Sequence, residues 1–139
     1  MAHLVYNHFR DDLATAAQDL SGGTYKVMCA QGAYTPDAAH QFVSSVTNEC
    51  TEVSRITVTG ASVSEDDANG RVDWLIDNMT FGLFATQVPR WAIIYKFVTN
   101  DSDSRLVCAV DLGFISPGVK NVTIKWNNAS SNGAAVRLA

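Results

Sequence analysis

The chain has no long apolar run, little charge and no basic cluster, and each lack excludes a class of function. Only 17% of the 139 residues are charged. No apolar stretch approaches the roughly 20 residues needed to span a bilayer as a helix, so no membrane association is expected. The ten Lys and Arg residues are scattered, and fourteen acids bring the net charge to −4. Nucleic-acid binding needs a clustered basic footprint, so nucleic acid is not an expected partner. The longest acidic run, Glu65-Asp66-Asp67, is too short for an interaction tail.

Cysteine is scarce and odd in number: Cys29, Cys50 and Cys108. No CxxC pair occurs, so a disulfide framework is not expected, and reduced thiols made in a cytosol are the simpler reading. Cys29 and Cys108 lie in apolar, strand-like runs, where a thiol acts as a small hydrophobe. The start, Met1 to Tyr6, has no basic segment followed by an apolar one, so no secretory signal is expected. The three sequons, at Asn78, Asn121 and Asn128, are then read as chance.

Motifs that carry chemistry are also missing. There is no GxSxG elbow, no HExxH and no glycine-rich phosphate cradle after a strand. His3 and His8 are five apart, off the shared helical face that i, i+4 would give, and no third ligand accompanies them. Glu65 to Gly70 lacks the spacing and closing glutamate of a calcium loop, and reads as a solvated hairpin. Cys50 and His40 do not stand in any cysteine-hydrolase context. No catalytic residue, metal ligand or cofactor is expected, and the chain is read as no enzyme.

What is present is a pattern of short strands. A helix is predicted from Tyr6, Phe9, Leu13, Ala16, Ala17 and Leu20, with Asn7 as N-cap and Ser21-Gly22-Gly23 as its stop. A second helix is predicted from Thr35-Pro36-Asp37 to Asn48, burying Ala39, Phe42, Val43 and Val46. Strands are predicted over residues 25–30, 53–60, 72–77, 80–85, 91–98, 106–112, 121–126 and 135–138, with Asn69-Gly70 as a hairpin signal. About eight strands at near-regular spacing give a mainly-β fold, an antiparallel β-sandwich or jelly roll. Two short helices sit in its N-terminal third. The whole chain, 1–139, is one domain with an N-terminal helical arm over about residues 1–22.

Residues 91–98 form the most apolar strand. Trp91, Ile93, Tyr95 and Phe97 occupy one face, and Ala92, Ile94 and Val98 the other. Such a strand is central in the core or covered by another subunit. Trp74, Trp91 and Trp126 fall on the apolar side of alternating strands, so packing is expected before any sugar platform. Phe81, Phe84 and Trp91 flank Pro89 and are candidates for a subunit contact.

The order of motifs along the chain carries a resemblance. Val5 to Leu13 is followed by Asp19-Leu20, the strand Tyr25 to Met28, and Tyr34-Thr35-Pro36-Asp37 with His40 and Phe42. Arg90 to Lys96, Leu106-Val107, Val110 to Gly113 and Val122 to Trp126 come later. The series resembles a group of small virion structural proteins of tailed bacteriophages over nearly the whole chain. The stretch from Thr51 to Gly70 is shorter than that group's glycine- and threonine-rich middle. The resemblance implies a particle component made in the host bacterial cytoplasm and located in the virion. Within that class a capsid decoration (cement) protein is expected, binding the major capsid protein and assembling as a dimer or trimer. Leu4, Tyr6, Phe9, Phe84 and Trp91 are the expected contact residues. A tail or head–tail connector component, and a carbohydrate- or receptor-binding module, are the alternatives.

Overall fold

The computed structural model describes residues 3–113, 115–126 and 136–138. Among them the protein is mainly β, and its strands pair antiparallel. The strands are β1 (His3–Val5), β2 (Tyr25–Gln31), β3 (Ile56–Thr57), β4 (Ser62–Asp66), β5 (Arg71–Leu75), β6 (Met79–Phe84), β7 (Pro89–Lys96), β8 (Arg105–Asp111), β9 (Lys120–Ile124) and β10 (Val136–Leu138). The one α-helix described, α1, spans Asn7–Ala14. Beyond the eight predicted strands, β1 and β4 are new.

The central sheet has the order β1-β8-β7-β2-β3. The long apolar strand β7 sits in its middle, pairing with β2 on one side and β8 on the other. Successive side chains of a strand point to opposite faces. On one face Val27, Cys29, Ala92 and Ile94 pack into a core with Trp74, Ile76, Phe81, Phe84, Ile124 and Trp126. Those partners lie on or next to the three-stranded sheet β10-β5-β4 and the two-stranded sheet β6-β9. On the other face Met28, Ala30, Ile93 and Tyr95 pack with Tyr6, Tyr34 and Val43. Both faces of β7 are therefore covered by this chain. Each large apolar side chain so buried contributes about 1.5–3 kcal/mol. β8 bulges where it passes Ile94 and Tyr95: Val107 and Cys108 both enter the first core, whereas Leu106 and Ala109 enter the second.

Three expectations need correction. The first helix ends at Ala14, well short of Ser21. Ala16 takes the left-handed conformation (φ 58°), the Ala16 N–H donates to the Leu13 carbonyl, and the Ala17 N–H donates to Asp12. That is a Schellman stop built on alanine, not on the glycines. The cap position falls on Tyr6, whose side chain makes no cap bond.

The helix predicted from Thr35 to Asn48 does not form; only a 3-10 turn, Val43–Ser45, appears there. Its backbone is claimed by the sheet. The Leu106 N–H donates to the Gln41 carbonyl, the Val43 N–H to Ser104, and Phe42 bridges to Arg105. The segment thus continues the edge of β8 beyond β1.

Residues 3–20 also do not stand off as an arm. β1 pairs with residues 108–110 of β8, and the Tyr6 N–H donates to the Val107 carbonyl. Leu20 is buried and its carbonyl accepts a bond from the Trp74 indole at 3.1 Å.

Candidate interaction surface

The expected contact residues divide sharply in this fold. Tyr6 and Phe9 have no exposed surface and Phe84 only 1%. Tyr6 belongs to the second core, Phe9 and Phe84 to the first. These three are spent on the protein's own interior and do not present a surface to a partner. Large aromatics mark cores and interfaces alike, so composition could not separate the two roles. Leu4 and Trp91 are half-buried against the second core. Trp74 and Trp126 are core residues, which removes them from any sugar platform. The Arg90 guanidinium lies 5.9 Å from the Trp91 ring and pairs with Asp111 at 2.6 Å.

The apolar surface that remains lies elsewhere. Leu83 is 57% exposed and Val119 67%. They are the residues just before Phe84 and Lys120, which face each other across β6 and β9. The chain between β8 and β9 adds Ile115, which lines two open grooves of about 300 Å³ each. One runs past Val88, Pro89 and Pro117, the other past Leu112, Val122 and Ile124. Arg90 lines the first groove and Lys125 the second, so each apolar lining carries one cation. Neither Leu83 nor Val119 stood out in the sequence: Leu83 sits among the aromatic residues of β6, and a lone valine in the turn before β9 has no periodic signal.

Polar clusters tie the connections to one another. The Arg55 guanidinium donates to both oxygens of Glu49 at 2.7 Å and to both oxygens of Asp101 at 2.7 and 3.0 Å, while also reaching the Tyr95 hydroxyl. The two carboxylates and the phenol push the Arg55 pKa up, and the Arg55 guanidinium in turn holds Asp101 below its usual range. The Glu52 carboxylate accepts the Thr86 hydroxyl and the backbone N–H groups of Ala85, Thr86 and Gln87. Those bonds draw its pKa down to about 2. The Tyr6 and Tyr34 hydroxyls lie 3.0 Å apart, and the Tyr34 hydroxyl is 3.1 Å from His40 Nδ1. Asp12 is buried, accepts from Gln18 and pairs with Arg105 at 3.0 Å.

Cys50 packs in the first core, and His40 is tied to Tyr34 of the second, so the central sheet separates them. Burial pushes the Cys50 and Cys108 thiols up to about 12, far from nucleophilic thiolates at neutral pH. Among the described residues no three His, Cys, Asp or Glu side chains gather as metal ligands, and no helix is long and apolar enough to cross a membrane. Residues 65–70 form the tip of the β4–β5 hairpin, with Gly70 at φ 61°. Of the sequons, Asn78 accepts the Trp126 N–H, Asn121 is exposed, and Asn128 lies outside the described residues. Compared with family models, curated proteins and solved structures, the chain matches none.

Proposed function

We propose that the protein is a bacteriophage virion structural protein, a capsid decoration protein that binds the major capsid protein and stabilises the shell, with its sheets stacked as a β-sandwich. The observation that carries the particle reading is the chain-long order of strand and turn motifs. With both faces of β7 covered by this chain, no partner is needed to complete the core around that strand, and a partner would bind elsewhere on the surface. Contact then falls to the exposed side chains Leu83 and Val119 and to the grooves beside Ile115. Repeated over many symmetry-related sites, weak individual contacts become strong in sum. Association as a dimer or trimer would multiply the contacts further.

The test uses shells lacking the protein and the purified chain. Added back, it should co-sediment with the shells and raise their rupture temperature. The double variant Leu83→Asp/Val119→Asp should weaken that binding about tenfold or more, since two charges must then be desolvated. Binding to tails or connectors but not shells would replace the decoration reading with the tail one.

A further inference from the structure

We propose that Cys29 and Cys50 are a disulfide site, closed when the protein meets a low-molecular-weight disulfide outside a reducing cytosol. The two residues lie directly opposite each other. Ala30 and Glu49 form an antiparallel bridge, so the next pair outward is Cys29 with Cys50. The Cys50 N–H donates to the Cys29 carbonyl at 2.8 Å. Directly opposed residues of an antiparallel pair stand roughly 4.5–5.5 Å apart at Cα, and a disulfide spans roughly 4.4–6.8 Å. Opposed side chains project to the same face, and both thiols sit in the first core, each only 1% exposed. Both are free in this structure, as is Cys108. Cys108, on β8, faces Val5 and Ile94 across its ladders and has no cysteine opposite it.

The position gives the bond a purpose. Residues 31–49 leave β2 at one cysteine and return to it at the other. In between they supply Tyr34, His40, Val43 and Val46, which cover the second face of the central sheet. A bond at the base would lock that cover in place. Closure needs two exchange steps. One cysteine thiolate attacks the reagent's disulfide and releases one reagent thiol. The second cysteine thiolate then attacks the mixed disulfide, forming the Cys29–Cys50 bond and releasing the second reagent thiol. Two electrons pass from the cysteine pair to the reagent, and its two thiols carry off the two protons. Burial disfavours both thiolates, so attack follows local opening of the cover and is slow.

The inference stands whether or not the protein belongs to a particle. The full chain is incubated with oxidised glutathione in mild urea, so that opening does not limit the reaction, and free thiols are counted. The expected result is a fall from three thiols to one, with a peptide linking Cys29 to Cys50 and no glutathione retained. Cys108→Ser should keep the crosslink; Cys29→Ser and Cys50→Ser should each abolish it. Once bridged, cleavage within residues 31–49 by a nonspecific protease should slow about tenfold or more. Three persistent thiols, stable glutathione adducts, or a bridge to Cys108 would overturn the site. A correct bridge with unchanged proteolysis would overturn its role as a clamp.

Discussion

Ala16 holds a backbone conformation that suits glycine better. An L-residue in the left-handed region carries about 1–2 kcal/mol of strain, partly offset by the greater unfolded-state freedom of glycine. Ala16→Gly should therefore raise stability by about 0.5–1 kcal/mol, read as a higher urea midpoint at unchanged slope. Gly60 is the converse case. It sits at φ 63°, and a Cβ there would run into the Asp77 carboxylate, which accepts the Thr59 hydroxyl at 2.9 Å. Gly60→Ala should cost about 1–3 kcal/mol in the same assay. Glu52 titrates near pH 2 when folded and near its ordinary value, about 4.3, when unfolded. Its clamp is then fully present above about pH 5 and fades as pH falls toward 2. Glu52→Gln should lower the melting temperature at pH 7, and the gap to the parent protein should close by pH 2. The sequence placed Ala16 inside the first helix and did not single out Glu52, because a φ angle or a partner distant along the chain decides each role.

At the scale of elements, legibility followed periodicity. β2, β6, β7, β8, β9 and β10 lie within about two residues of their predicted places, since alternating or wholly apolar runs bounded by turns have few other solutions. The β4–β5 hairpin is anchored at Asn69-Gly70 as expected. The failure came where local helix signals met a sheet edge. Thr35-Pro36-Asp37 has the chemistry of a helix start, and Ala39, Phe42, Val43 and Val46 the right spacing, yet Gln41 and Val43 hydrogen-bond to Leu106 and Ser104. A marginal helix of that length loses to an open ladder. Arg55 then fixes what the missing helix would have held, joining Glu49 to Asp101 in the β7–β8 turn. Arg55→Ala should cost about 2–3 kcal/mol, measured by denaturant unfolding, because it strands two partly covered carboxylates.

Over the whole molecule, the open question in the sequence was what covers the second face of the strand around Trp91 to Val98. The answer is this chain: Tyr6 from the N-terminal segment, and Tyr34 and Val43 from the long connection, close over Ile93 and Tyr95. That answer explains why Tyr6, one of the expected contact residues, is core, while Phe9 and Phe84 are buried in the core on the other face. It also moves the candidate contact to other apolar side chains: Leu83 and Val119 are the most exposed large hydrophobics among the described residues, ahead of Val63 and Val98. The central claim, a repeated structural component of a phage shell, is tested most directly by counting. Mass-spectrometric stoichiometry of intact purified particles, referred to the major capsid protein, should give the protein in a fixed ratio corresponding to hundreds of copies. Six or twelve copies, or none, would contradict it.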